Sequence, residues 1–559
     1  MDYYNYFNSL LGKDKTNTEF FINRFSYILI NLYNFVPSDE LSLVDNPLVY
    51  TFEHNIKAII YILSQFIPIE DRKNLWLYDW NNTNFLNQLY DSLYKLNHKH
   101  LILWFFLHCN YYLKEDYNSK ISKLNNNMDF IVHKGLKFKT INELYRHTYG
   151  VSLLPFYALS YMDQNNKDIF IRRCEFYKKI CPDLIYNSVN DRKINTIGKL
   201  KIGFISDFLA KDSSVLRDRM GIIDNLSRDK YDISLLIFNN KENISGLVAK
   251  KFYEKHIANY IHLPVDFNKA RDEIADLNLD ILVFCEIGMD IKNLLLSFSR
   301  LAPVQVNTWG HSDTSGIDTI DYYITSKYFE DSDANNNYSE KMVLFDSLST
   351  YYYKPSELLW DDYEIVTRKN FNIDDSVTVY GCIQTSFKIS DKFEEIMATI
   401  LERDSNSIII LSNIIPFCKS HIQRMKDKMG DNYQRVKIFQ SLKGDIYLNL
   451  ISLCDILLDP YPFGGCNTSF EAFEFNIPVI TYPSKFLNGR FTQGLYKKMG
   501  FSQLVAYSVD NYIEIALKYG MNKDKLHEIS GLINDNKSKI FKEEASVTEW
   551  DNFFTNCKE

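Results

Sequence analysis

The stretch "DPYPFGGCNTSFEAFEFNIPVITYP", residues 459–483, ends an apolar strand, turns through Pro and Gly, and sets Cys-Asn-Thr-Ser before an apolar-periodic segment. A second strand follows. Strand, turn, helix and strand in this order form the unit of a parallel sheet covered by helices. Ligands of such sheets bind beyond the carboxyl ends of the strands. Asn467, Thr468 and Ser469 fall at such an end, where a helix begins. A helix N-terminus has unpaired N–H groups and partial positive charge, and so stabilises phosphate. Gly464 and Gly465 let the backbone approach a ligand closely. The bland reading stands beside this one: Thr468-Ser469-Phe470-Glu471 has the T-x-x-E spacing of a capping box, which needs no ligand.

The same grammar extends over the C-terminal two thirds. Candidate strands are 200–206, 231–238, 280–286, 304–309 and 321–325, then 377–383, 407–412, 435–440, 455–460 and 478–483. Helix-like segments alternate with them, and a break near 350–375 divides two series. Two Rossmann-like domains of α/β class are expected, at 196–365 and 366–559. Residues 1–195 read differently. "TEFFINRFSYILINLYNFV", "FEHNIKAIIYILSQFI" and "TNFLNQLYDSLYKLNHKHLILWFFL" place apolar residues on one helical face, Gly is scarce, and strand alternation is missing. An all-helical N-terminal domain is expected there, without a regular 34-residue repeat. The tail "VTEWDNFF" is amphipathic and aromatic; it suits a helix packing back across a domain cleft or one capping its own domain.

Bulk properties narrow the function classes. A chain of 559 residues exceeds a single core. Net charge is -8, which argues against a nucleic-acid partner. The nine cysteines show no CxxC spacing, so neither a zinc ribbon nor a redox motif is signalled, and buried free thiols in a reducing compartment are expected. The N-terminus lacks the pattern of a signal peptide, and "LILWFFL" is far too short to span a bilayer. The expectation is an intracellular, cytoplasmic protein with no membrane span.

Three further loops carry candidate chemistry. In "GCIQTSFKISDKF", Gln384 and Lys388 follow a buried strand; a lysine there neutralises a diphosphate leaving group, or is merely solvated. "FISDFLAKDSSVLRDRMG" crowds Asp207, Lys211, Asp212, Ser213, Ser214, Arg217 and Arg219 at the exit of the first strand, to grip a substrate or to form a surface charge network. "WGHSDTSGIDTIDYYIT" holds His311 and Asp313, a general-base pair or a polar turn. The one Asp-x-Asp pair of manganese-binding type, Asp331-Ser332-Asp333, lies in a polar stretch that reads as an exposed loop, so no metal site is expected.

Taken together, "IGFISDF", "EIGMD", "FSRLAPVQVNTWGHSDTSGIDTIDYYI", the 459–483 stretch and "GRFTQGLYKKMG" make residues 195–559 resemble the SPINDLY/O-GlcNAc-transferase family of glycosyltransferases. The resemblance implies the GT-B architecture, two Rossmann-like domains facing a cleft, preceded by a helical region. It implies transfer of a sugar, GlcNAc or a related hexose, from a UDP-sugar to a protein or peptide side chain, with no cofactor and no metal. GDP-fucose onto a hydroxyl and UDP-glucose onto Asn are the alternative donors, and an inactive body with a helical interaction module is the alternative outside enzymes. By position, Lys388 matches the diphosphate-contacting lysine with Gln384 beside it, and Asn467, Thr468 and Ser469 the helix start that meets the phosphates. Glu471 falls where the family has a carboxylate for the ribose diol, Tyr447 where a ring stacks on the base, and Arg490 on a recurring arginine. The family's loop histidine after the first strand is absent, which leaves the base open: Asp212 or His311 substitutes, or the base is not a side chain.

Overall fold

The computed structural model describes residues 117–557, apart from 149–153, 191, 196, 360–366, 414–418 and 441–444, together with parts of 87–108. The helical patterns at 18–36 and 52–67 lie outside the described residues. The described residues divide into two compact units. The smaller takes in described parts of 87–102, where Tyr90 stacks on Tyr94 with ring centroids 5.8 Å apart. Everything described from 117 on, except 419–424, belongs to the larger one.

The larger unit holds two large parallel sheets, besides a two-stranded pair of Tyr186–Asn187 with Ser299–Arg300. The first contains β1 (Leu200–Ile205), β2 (Tyr231–Ile237), β3 (Tyr260–His262), β4 (Ile281–Phe284), β5 (Val304–Thr308), β6 (Tyr322–Ser326) and β7 (Lys341–Phe345). Their spatial order is 3-2-1-4-5-6-7. The second contains β8 (Thr378–Cys382), β9 (Ser407–Asn413), β10 (Val436–Gln440), β11 (Ile456–Leu458) and β12 (Val479–Ile480), with β8 central between β9 and β11. The doubly wound order reverses between β1 and β4 and between β8 and β11, and crevices open at such switch points. Every residue of β4, Ile-Leu-Val-Phe, is buried, as a central strand covered on both faces requires. All ten candidate strands are present, and two edge strands, β3 and β7, join them.

Helices bring the site together. The N-terminal part of this unit supplies α1 (Tyr117–His133), α2 (Ile141–Thr148), α3 (Leu154–Leu159) and α4 (Lys167–Ile180). After β1, α5 (Ser214–Asn225) starts at Ser213, whose hydroxyl accepts from the Leu216 N–H at 3.1 Å. α6 (Leu247–Lys255) follows β2. In the second lobe, α7 (Asp445–Ser452) precedes β11, and α8 (Asn467–Glu474) follows it. α5 crosses the segment joining the lobes so closely that a Cβ on Gly221 would lie 1.9 Å from the Tyr351 carbonyl oxygen, so only glycine fits.

The last helix, α9 (Glu544–Asn556), returns to the first lobe. Trp550 is fully buried against Phe345, donates to the Ser349 carbonyl at 3.1 Å, and has Phe554 beside Tyr231 and Phe204. The aromatic tail therefore packs across the lobes rather than on its own domain. No helix among the described residues is long and apolar enough to cross a membrane.

Candidate active site

A cavity of about 250 Å³ lies between the lobes. Ser214, Asp218, Trp309, His311 and Ser312 line it from the first lobe; Gln384, Lys388, Cys466, Asn467 and Thr468 line it from the second. Tyr157 and Tyr161 close it from the helical segment, Tyr161 stacking on Phe463 with centroids 4.4 Å apart. Five of the residues expected at the site, Gln384, Lys388, His311, Asn467 and Thr468, thus share one wall-to-wall space.

Lys388 follows β8 in a short 3-10 turn. Its ammonium donates to Gln384 Oε1 at 2.9 Å and to the Gly464 carbonyl at 2.8 Å, and sits 4.4 Å from the Phe463 ring centroid. Both acceptors are neutral. The nearby Asp459 carboxylate is taken up by the Gly465 N–H at 2.6 Å, and among the described residues no carboxylate pairs with Lys388. Burial pushes the ammonium pKa down to about 8, with Asp459 pulling the other way. A buried cation that faces a cavity with no carboxylate in direct contact is costly in the free protein and suited to an anionic ligand.

The start of α8 does not form the capping box that its sequence permits. The helix begins at Asn467, its N-cap is Cys466, and no side chain caps it. Thr468 Oγ1 lies 2.8 Å from the Tyr447 hydroxyl, and Glu471 pairs with Arg217 of α5. Tertiary partners have drawn both side chains away, so the first turn presents its backbone uncapped beside Lys388. Tyr447, on α7, also donates to the Ile383 carbonyl at 3.3 Å and braces the helix from behind. Asn467 accepts from the Tyr352 hydroxyl at 2.6 Å and donates to Asp218 Oδ1 at 3.2 Å.

Other expected residues sit elsewhere. Asp212 accepts from the N–H groups of Ala249, at 2.6 Å, and Val248, at 3.4 Å; it caps α6 and does not line the cavity. Ser469 is buried against Thr492 Oγ1 at 2.7 Å, bracing the turn. Arg490 donates to the Phe329 carbonyl at 2.8 Å and to Asp331 Oδ1 at 2.5 Å, tying the lobes. That contact also engages the Asp-x-Asp pair, and among the described residues no group of three or more His, Cys, Asp or Glu is arranged to hold a metal. Glu471 is buried and turned to Arg217 instead of the cavity; burial raises its pKa and Arg217 opposes that.

His311 is present in the cavity but poorly suited as a base. Burial and the Arg173 charge push its imidazole pKa down to about 3. Nε2 lies 3.3 Å from Ser160 Oγ, and Nδ1 is buried without a partner. Asp218 is not singled out by its sequence context, where it is one of several mixed charges in "FISDFLAKDSSVLRDRMG". It is buried in the cavity wall, and burial pushes its carboxyl up to about 7.

Residues 354–548 match the model of glycosyl transferase family 41. The chain is 26% identical over 257 residues to a UDP-glucose:protein N-beta-glucosyltransferase of Actinobacillus pleuropneumoniae, covering 45% of this chain and 40% of that one. It is 26% identical over 281 residues to a probable UDP-N-acetylglucosamine–peptide N-acetylglucosaminyltransferase SPINDLY of Solanum lycopersicum, covering 49% and 29%. The chain thus spans less than half the length of these curated relatives. Among solved structures, the Thermobaculum terrenum O-GlcNAc transferase (mutant K341M) superposes with a TM-score of 0.62 at 17% identity, over 85% of this chain and 93% of that one. That likeness carries the fold, GT-B. The match to glycosyl transferase family 41 thus covers residues 354–548, within the second lobe and the segment leading into it.

Proposed function

We propose that the chain is a glycosyltransferase that moves a sugar from a UDP-sugar to a protein side chain without a metal ion. The observation that carries this is the convergence of the unpaired Lys388 ammonium and the uncapped start of α8 on one cavity. The acceptor attacks the anomeric carbon while the bond to the diphosphate oxygen breaks. Negative charge grows on that oxygen as the diphosphate leaves. Lys388 meets it with charge and α8 with N–H groups and dipole. Gln384 holds the lysine in place, and Asn467 and Thr468 border the same space.

The names of the curated relatives support a uridine donor and a protein or peptide acceptor, and give no support to a GDP-sugar. The hexose stays between glucose and N-acetylglucosamine. For Glu471 to meet a ribose diol, it must share or release Arg217. The seven cysteines among the described residues are free, which suits a reducing compartment such as the cytoplasm.

Calorimetric titration with UDP, alongside transfer from UDP-glucose and UDP-N-acetylglucosamine to lysate proteins, tests the reading. Binding with transfer supports it. Binding without transfer favours an inactive body, and absence of both overturns it.

A further inference from the structure

We propose that Asp218 is the catalytic base that takes the acceptor's proton, a role that rests on the donor reading above. Asp218 lies on α5 of the first lobe, buried at 3% exposure, and lines the cavity that Lys388 lines from the second lobe. Its backbone is fixed by Thr350, whose hydroxyl donates to the Asp218 carbonyl at 2.6 Å. Its carboxylate is aimed by the Asn467 amide. Because the Tyr352 hydroxyl donates to Asn467 Oδ1 at 2.6 Å, the amide nitrogen must face Asp218, at 3.2 Å. Tyr352 is itself held by stacking on Phe470, centroids 4.0 Å apart.

Two arginines flank Asp218 in sequence, yet neither pairs with it. Arg217 is engaged with Glu471. Arg219 donates to the Ser349 carbonyl at 3.1 Å and lies 4.4 Å from the Trp309 ring. The carboxylate therefore keeps one neutral donor and an open side toward the cavity. The charged and titratable groups around it are Arg217 and Arg219 on its own helix, Cys466 and Glu471 from the second lobe, and Tyr352 from the connecting segment. The two other candidates fit less well. His311 is a weak base in its buried setting, and Asp212 caps α6.

The step balances. The acceptor hydroxyl or amide attacks the anomeric carbon and forms the new glycosidic bond. The bond to the diphosphate oxygen breaks, and its electron pair leaves with UDP. The acceptor's proton passes to Asp218. A base poised near the working pH is the effective one, and such groups contribute about 100–10,000-fold. Burial, which raises this carboxyl to about 7, supplies that poise.

The experiment is the pH profile of kcat/KM for wild type and Asp218→Asn, with UDP binding measured by calorimetry on both. The wild type should lose kcat/KM with unit slope as pH falls below about 7. Asp218→Asn should bind UDP normally, lose about 100–10,000-fold in kcat, and show no acid limb. Near-normal kcat in the variant, or a loss that leaves the acid limb in place, overturns the role of Asp218 alone. A wild type that neither binds UDP nor transfers sugar overturns the donor reading and this inference with it. Should Asp218→Asn fail to fold, Asn467→Ser removes the amide donor and should move the acid limb to higher pH; an unmoved limb overturns the assignment.

Discussion

Arg217 and Glu471, 254 residues apart in the chain, form an ion pair that joins α5 of the first lobe to α8 of the second. Both are largely buried, at 17% and 3% side-chain exposure. Removing one partner of a buried pair leaves an uncompensated charge and costs about 3–5 kcal/mol. Arg217→Ala should lower stability by that order in urea denaturation. Adding Glu471→Gln to it should recover much of the loss, and a double variant as unstable as the single one would show that the pair is not what couples the lobes.

Lys388 should separate activity from folding. Its ammonium donates only to neutral acceptors, Gln384 and the Gly464 carbonyl, and the Asp459 carboxylate that it attracts keeps its own donor, the Gly465 N–H, when Lys388→Ala removes the cation. The melting temperature should hold or rise. Transfer should fall by about 100–1000-fold or more, the cost of one lost contact to a developing oxyanion.

The pH dependence of kcat/KM should be bell-shaped. Asp218 must be ionised to accept a proton, so activity falls as pH drops below about 7. Lys388 must be charged to meet the diphosphate, so activity falls as pH rises above about 8. kcat/KM reports the free enzyme, where these environments apply. A flat profile from pH 6 to 9 would contradict both assignments.

Asp218 should also be a stability liability at high pH. Its folded pKa, about 7, lies above the ordinary aspartate value of 3.8. Between those values the folded state binds more protons than the unfolded one, so this stability is fully present at low pH and is lost as pH rises through 7. The melting temperature of Asp218→Asn should therefore fall less than that of wild type between pH 5.5 and 8. A parallel fall in both would show that Asp218 is ionised throughout.

The C-terminal helix should be required for the closed pair of lobes. Trp550 is fully buried and its indole N–H donates to the Ser349 carbonyl. Trp550→Ala should cost about 3–5 kcal/mol by thermal or urea unfolding, and a loss below 1 kcal/mol would mean that α9 packs only loosely.

The sheets were legible because runs such as "ILVF" and "SIIIL" bury both faces and end in turn residues. β3 and β7 were not. β3 has only three residues, and β7 carries the apolar run Met342–Phe345 but buries only Phe345, as an edge strand does. Lys388, Gln384 and the α8 start were legible through their motif order. The choice between capping box and open helix start is not legible locally, because Thr468 and Glu471 have the box's spacing while Tyr447 and Arg217 compete from outside the segment. Asp218 was hidden between two arginines. Its burial arises only when α5 meets α8 across the lobes, which no local window of sequence contains.

The central claim is transfer of a sugar from a uridine diphosphate donor by the Lys388–α8 site. The most direct test incubates wild type and Lys388→Ala with UDP-glucose or UDP-N-acetylglucosamine and lysate proteins, and reads acceptor mass by mass spectrometry. The account predicts a hexose or N-acetylhexosamine adduct with wild type alone. Equal adduct from Lys388→Ala, or none from wild type with either donor, would contradict it.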